Sequence, residues 1–232
     1  MTMQGNRNIM VNGYSEEARS KIMYTFYKTA RFILGPVFRL LYRPVIIGRE
    51  NIPSDGPAVI AGNHKHAFDP LLIDISTKRV IRTLAKKELH DSRFGFLFRS
   101  AGTIPVDLHA KHNPAALEAA VAALKQGELV NVSPEAKRNY TDELLLPFKF
   151  GAAVMSERTG APIIPYAVAG DYSLFPKHRL TVMFGRPVEA GGSPGDTNRR
   201  LYDEVAGLLR KAMSEDELKH KHFTSYESWG KI

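Results

Sequence analysis

Short apolar runs alternate with helical patterns from residue 44 onward, and this alternation most constrains how the chain can fold. Helical periodicity falls between β-type runs, which favours a largely parallel or mixed sheet covered by helices. A chain of 232 residues is long enough to bury one such core. The sequence therefore predicts an α/β fold. The predicted strands are 45–48, 58–61, 80–84, 103–106, 129–133, 163–169 and 180–184, and the predicted helices are 70–77, 93–100, 114–125, 148–158 and 197–213.

The segment 15–43 precedes this alternation and has the periodicity of amphipathic helices. At 100° per residue most apolar side chains fall on one face, with Phe32 as an exception, and the basic side chains fall on the opposite face. Gly35-Pro36 predicts an interruption, so an amphipathic N-terminal helical pair is expected. Such a segment can lie in a membrane interface, or it can pack its apolar face on the domain. The basic side chains are Lys21, Lys28, Arg39 and Arg43.

The two ends of the chain are polar. Residues 1–14 are predicted to be disordered, and residues 215–232 are predicted to form a mobile C-terminal tail. No run of 18 apolar residues occurs, and the first residues lack the apolar core of a signal peptide. We therefore expect neither secretion nor a transmembrane helix.

Charge and cysteine content narrow the classes of partner and site. Thirty-two Lys and Arg against 24 Asp and Glu give a formal charge of +8, which favours nucleic acid, anionic lipid head groups or phosphorylated substrates. Nucleic acid is disfavoured because no recognition-helix motif or aromatic-interleaved basic strand is present. The chain has no cysteine, which excludes disulfides and thiolate metal sites, and no metal site is predicted.

The stretch 63–69 carries the residues with the clearest chemistry. His64 and Asp69 stand five residues apart, after the apolar run 58–61 and before a predicted helix. A carboxylate at Nδ1 can fix the tautomer of a histidine, which leaves Nε2 free to take a proton from a substrate hydroxyl. The alternative is a histidine in a turn with Asp69 as a helix cap, and the spacing alone does not decide between them.

Further motifs follow in an order that is typical of one family. Gly62-Asn63-His64 with Asp69 resembles the first signature of the glycerolipid acyltransferases, and within them it is most similar to the bacterial 1-acylglycerol-3-phosphate acyltransferases. Residues 84–89 and 102–107 resemble the next two landmarks. Pro134-Glu135 with Arg138 resembles the phosphate-handling motif, and 146–151 and 161–165 resemble the later segments. The resemblance spans about 44–187, and the ordered set is more specific than any one motif.

The resemblance implies acyl transfer from a thioester donor to the free hydroxyl of 1-acylglycerol 3-phosphate, giving phosphatidic acid in phospholipid synthesis. By that likeness His64 is the general base, Asp69 orients it, and 44–214 is the acyltransferase domain. Acyl-coenzyme A or acyl-acyl carrier protein is the co-substrate, and no cofactor is expected. The implied location is peripheral, on the cytoplasmic face of the cell membrane. The implied substrate-binding residues are Lys86, Lys87, Gly102, Glu135 and Arg138.

Some positions depart from the family pattern. The third motif usually reads Phe-Pro-Glu-Gly-Thr-Arg, and here Ser133, Ala136 and Lys137 replace the Phe, Gly and Thr. If the glycine position needs a positive φ, Ala136 carries strain. Leu108 stands where the family often has an arginine. These departures keep three alternatives open: acylation of glycerol 3-phosphate, acylation of another lysophospholipid, and a non-catalytic lipid-binding homologue.

Overall fold

The computed structural model describes residues 16–110 and 113–229. The predicted disordered segment 1–14 lies outside these residues, as do residues 230–232 of the predicted tail. Within the described residues the α/β prediction is confirmed, with helices on both faces of a mixed sheet.

Seven described strands form one sheet in the order β1-β7-β6-β2-β5-β3-β4. β2, β3, β4, β5 and β6 run parallel to one another, while β7 is antiparallel to β6 and β1 is parallel to β7. The central strands β2 and β6 are buried on both faces, which explains why they read as continuous apolar runs. The strands are β1 (Val45–Ile47), β2 (Ala58–Gly62), β3 (Ile81–Lys86), β4 (Ile104–Val106), β5 (Leu129–Val132), β6 (Ile163–Ala169) and β7 (Thr181–Phe184).

Helices cover the sheet in two layers, each with its own apolar cluster. One cluster joins α1 and α2 to one face, and the other joins α5, α6 and α7 to the opposite face. The short α3, α8 and α9 were not predicted. The helices are α1 (Glu16–Tyr42), α2 (Asp69–Asp74), α3 (Lys87–Asp91), α4 (Gly95–Ser100), α5 (Pro114–Lys125), α6 (Gly151–Thr159), α7 (Pro194–Ala212), α8 (Glu215–Leu218) and α9 (Tyr226–Trp229).

The predicted interruption at Gly35-Pro36 is wrong, because α1 is one helix that includes Pro36. Contacts on both sides of the proline explain this. The Arg31 guanidinium donates to the carbonyls of residues 77, 78 and 79, and Arg39 donates to the Ile75 carbonyl. Gly35 is buried against Ile75 between these anchors. Tertiary contacts therefore outweigh the hydrogen bond that the proline removes.

The side of α1 that faces the domain is not the predicted apolar face. Tyr27 and Phe38 are buried, and the Tyr27 hydroxyl donates to Asp74 Oδ1 at 2.6 Å. Most of the predicted apolar stripe is exposed instead, and Leu40 is 71% exposed. Phe32, which falls outside the stripe, is 81% exposed. The other exposed apolar side chains of α1 are Ile22, Ile33, Leu34, Val37 and Leu41.

The predicted mobile tail makes ordered contacts as far as Trp229. The Trp229 indole donates to the Tyr202 hydroxyl at 3.0 Å, and the Tyr202 hydroxyl donates to the Thr224 carbonyl at 2.8 Å. His222 pairs with Glu143 in an isolated parallel bridge. The sequence gives no signal for these contacts, because the aromatic side chains that make them are interspersed with charged residues and show no periodicity.

Candidate active site

His64 and Asp69 lie at the carboxyl ends of the parallel strands, the edge where open α/β sheets bind ligands. His64 follows β2 by two residues, and Asp69 is the first residue of α2. His64 Nδ1 lies 2.8 Å from Asp69 Oδ2. The His64 side chain is 24% exposed, whereas the Asp69 side chain is 1% exposed. The predicted pair is therefore formed, with the imidazole open to solvent and the carboxylate buried.

The Asp69 carboxylate accepts four hydrogen bonds. Besides the imidazole, Oδ2 accepts from the backbone N–H groups of Lys65 and His66 at 2.8 Å each, and Oδ1 accepts from the Tyr172 hydroxyl at 2.6 Å. An ionised carboxylate only accepts, so these donors suit its charged form. Because Asp69 can only accept, Nδ1 of His64 must carry the hydrogen, and Nε2 presents a lone pair.

Tyr172 is a site residue that the sequence analysis missed. Burial of the Tyr172 hydroxyl and the nearby charge of Asp69 raise the pKa of this hydroxyl, so the hydroxyl remains protonated and donates at neutral pH. Its ring stacks on His66 at 4.5 Å between centroids and lies 5.8 Å from the ring of Tyr42 at the end of α1. The available signal was positional, since Tyr172 follows β6 at the same sheet edge as His64. Asp69 and α1 are thus joined through one aromatic side chain.

Glu135 holds the backbone around His64. Its Oε1 accepts from the His64 N–H at 2.8 Å, and its Oε2 accepts from the Leu146 N–H at 2.9 Å. Burial raises its pKa to about 7. The Asn139 N–H donates to the His64 carbonyl at 3.0 Å. Both oxygens of Glu135 are thus engaged by backbone N–H groups, and neither contacts Arg138, so a role of Glu135 in substrate binding stays a prediction.

The loop after Glu135 confirms the expected strain. Ala136 has φ +58°, in the left-handed region that glycine adopts freely and an L-residue adopts at a cost. Lys137 and Arg138 follow on the surface, and the Arg138 guanidinium lies 5.4 Å from the centre of the Tyr140 ring. Arg138 therefore belongs to the loop that contacts His64 through Asn139, but its side chain is exposed to solvent.

Lys86 and Lys87 lie at the same sheet edge, beyond β5. Lys86 ends β3, and Lys87 begins α3 and is paired with Asp91 at 2.7 Å. Both side chains are exposed. The structure therefore brings these predicted residues to the edge that carries His64, without a direct contact to it.

Gly102 is the predicted site residue that the structure separates from the others. The strand register aligns it with Val59, five residues before His64, which corresponds to about 16 Å along the strands. Its N–H donates to the Arg99 carbonyl at 3.0 Å, and Met23 of α1 covers it. The Gly102 N–H is therefore engaged within its own loop and lies away from His64. The N–H groups of Lys65 and His66 are equally engaged, by Asp69.

A cavity of about 120 Å³ opens beside His64, on the side of α7. The loop 135–144, the end of β6, the end of α7 and the C-terminal segment enclose it. Its lining is mixed, with apolar Val168, Leu209 and Met213 and polar Asn63 and Asn139. It also includes the two lysines Lys65 and Lys221. Across the described residues, no cluster of three or more His, Asp or Glu side chains is arranged to hold a metal ion.

Residues 43–169 match a family model described as Acyltransferase. This range contains His64, Asp69, Glu135 and Arg138, and it accounts for more than half of the chain. The matched range ends with β6, so α7 and the C-terminal segment that enclose the cavity lie outside it.

Several similar proteins are named as acyltransferases that act on 1-acylglycerol 3-phosphate, and the alignments cover most of their length. The 1-acyl-sn-glycerol-3-phosphate acyltransferase of Bacillus subtilis is 29% identical over 83% of this chain and 98% of its own. The enzyme of that name from Helicobacter pylori is 27% identical over 72% of this chain and 71% of its own. The crystal structure of the 1-acyl-sn-glycerophosphate acyltransferase of Thermotoga maritima superimposes with a TM-score of 0.65 at 25% identity. That alignment covers 84% of this chain and 81% of the other.

Proposed function

The chain belongs to the acyltransferase family, and we propose that it transfers a fatty acyl group from a thioester to the free hydroxyl of 1-acylglycerol 3-phosphate. The product is phosphatidic acid. The observation that carries the proposal is the 2.8 Å contact between His64 Nδ1 and Asp69 Oδ2, with the imidazole accessible and the carboxylate buried. The pair lies inside the matched range, at the ligand-binding edge of the sheet.

His64 acts as the general base. Asp69 holds the Nδ1–H, so Nε2 takes the proton of the acceptor hydroxyl as its oxygen attacks the thioester carbonyl. A carbon–oxygen bond forms, the carbon–sulfur bond breaks, and the proton passes from His64 to the departing thiolate. Positioned base catalysis of this kind contributes about 10²–10⁴-fold in rate. No covalent acyl-enzyme is required, and the chain has no cysteine to form one as a thioester.

The exposed cations at the carboxyl edge would attract the anionic substrate. Lys86, Lys87 and Arg138 are solvated, so they raise the local concentration of an anion without fixing its position. Such steering weakens with salt, because the screening length is about 8 Å at physiological ionic strength.

α1 is the proposed membrane contact. Its exposed stripe, which includes Ile33 and Leu40, would enter the lipid interface, while basic side chains such as Lys28 meet anionic head groups. No described helix combines the length and apolar character that crossing a bilayer requires. We place the enzyme on the cytoplasmic face of the cell membrane as a peripheral protein, with acyl-coenzyme A or acyl-acyl carrier protein as donor.

The test is acyl transfer on vesicles that contain lysophosphatidic acid, with each donor supplied in turn. The His64→Ala variant should lose at least about 10³-fold in rate, because it removes both the base that accepts the hydroxyl proton and the acid that returns this proton to the thiolate. His109→Ala is the matched control, since this histidine is 88% exposed at the same sheet edge and should leave the rate unchanged. Equal rates for wild type and His64→Ala would remove His64 from the mechanism.

A further inference from the structure

The cavity beside His64 contains two lysines that are not among the residues by which the chain resembles the family. Lys65 follows His64 directly, and Lys221 comes from the C-terminal segment, far from it in sequence. Both side chains are half-buried, unlike Lys137 and Arg138, which are exposed. Two cations from distant segments thus share one concave surface with the base.

The donors of these lysines are largely available. Lys221 Nζ donates to the Thr141 carbonyl at 2.7 Å, which uses one of its three N–H groups. Within 16–110 and 113–229 the Lys65 ammonium has no ion-pair partner, and only its backbone N–H is engaged, by Asp69. Half-buried cations without a carboxylate partner favour an anion in the space between them.

The cavity has the size of a small anionic group. Its volume is about 120 Å³, and a protein cavity of about 150 Å³ is known to hold benzene. Asn63 and Asn139 add polar lining, although their amides are partly engaged with Val168 and Glu143. Glu135 is the one acidic group of the lining, and both of its oxygens are turned to backbone N–H groups.

We propose that this cavity binds a phosphate group of a substrate, held between Lys65 and Lys221 beside His64. The proposal rests on the proposed function, which supplies two sources of phosphate: the head group of the acceptor and the phosphates of the thioester donor. Ammonium groups bind phosphate as point charges. A phosphate held there fixes the substrate next to the imidazole, a task that the solvent-facing Arg138 is not positioned to perform.

Kinetics with the full chain test the proposal and identify the source. Lys65→Met and Lys221→Met should each raise KM for one substrate about tenfold, and the double variant should raise it further, with kcat nearly unchanged. Lys219→Met is the matched control, because this lysine is exposed two residues before Lys221. Lys221→Arg keeps a donor for the Thr141 carbonyl and should retain most of the affinity. A rise in KM for lysophosphatidic acid assigns the cavity to the acceptor, and a rise for the acyl thioester assigns it to the donor.

A binding experiment separates this proposal from the proposed function, because it needs no turnover. The wild type is titrated calorimetrically with sn-glycerol 3-phosphate and with coenzyme A, using glycerol and pantetheine as phosphate-free counterparts. Weaker binding of either phosphate compound to the Lys65→Met/Lys221→Met variant supports the site, even if no acyl transfer is found. An active enzyme whose KM values and phosphate affinities are all unchanged in the double variant overturns the site and leaves the proposed function standing.

Discussion

The two sides of His64 differ in almost every physical respect. On the side of α1 and α2, the imidazole meets a buried carboxylate that is held by two backbone N–H groups and Tyr172. On the side of α7, residue His64 lines a cavity with two half-buried lysines. One side fixes the ring, and the other leaves volume for a ligand. The contacts that position the base therefore lie on the side away from the proposed phosphate site.

The largest expected effect comes from removing the charge on the fixed side. Asp69→Asn should lower kcat by about 10³-fold, because an amide can donate to Nδ1 and so favours the wrong imidazole tautomer. It also places an amide against the N–H groups of Lys65 and His66, at a cost of about 1–3 kcal/mol in unfolding free energy. Steady-state kinetics and chemical denaturation measure the two effects. A kcat within about threefold of wild type would show that Asp69 is not needed to orient His64.

The side of His64 that carries Asp69 also includes α1, and the exposed apolar stripe of α1 can be substituted without touching the site. Ile33→Ser with Leu40→Ser should weaken binding to anionic vesicles about 10- to 100-fold, since each side chain buries apolar area in lipid. Vesicle sedimentation measures the partition. Phe150→Ser is a suitable control, because this half-exposed side chain precedes α6 on the opposite layer. An unchanged partition would mean that α1 does not face lipid.

On the cavity side, Glu135 predicts a pH-dependent stability. Burial raises its pKa from 4.5 to about 7, so the folded protein binds this proton more tightly than the unfolded chain does. Its contribution to stability is therefore full below about pH 4.5 and is lost as the pH rises through about 7. Over that window the unfolding free energy of wild type should fall relative to Glu135→Gln, by up to about 3 kcal/mol. Parallel curves from denaturation at several pH values would contradict the assignment.

A smaller effect should follow from Tyr172→Phe, which keeps the ring but removes the donor to Asp69. The carboxylate then keeps three of its four donors and orients the imidazole less firmly. We expect kcat to fall about three- to tenfold with KM for the acceptor nearly unchanged. Steady-state kinetics measure both parameters, and a kcat equal to that of wild type would show that Tyr172 does not support the base.

The smallest expected effect lies in the loop on the cavity side. Ala136→Gly should raise the unfolding free energy by about 1 kcal/mol, since glycine adopts φ +58° without steric cost. Thermal unfolding measures the shift, and Ala110→Gly, in a loop residue without a positive φ, should give no such gain. A loss of stability at Ala136→Gly would show that this backbone is not strained.

The features that the sequence predicted correctly are those that depend on periodicity and on short spacings between residues. All seven strands of the described sheet and the pairing of His64 with Asp69 were predicted, because both are local patterns. Long-range contacts were not predicted. Pro36 stays inside a helix because of carbonyls about 40 residues away, and Tyr172 reaches Asp69 across 103 residues. The separation of Gly102 from His64 was not predictable for the same reason, since only the strand register shows at which end of the sheet Gly102 lies.

The contacts of α1 determine whether the protein can be shortened at its N-terminal side. Phe38 and Tyr42 cover the aromatic group that includes Tyr172, and Arg31 and Arg39 cap carbonyls that follow α2. A shortened protein that starts at Pro44 would uncover this apolar surface and leave those carbonyls to water. Such a fragment should aggregate on expression and lose the ordered support of its carboxylate. The helix α1 and the sheet therefore have to be expressed together. A more soluble catalytic protein should be sought by substituting the exposed apolar side chains of α1 rather than by deleting the helix.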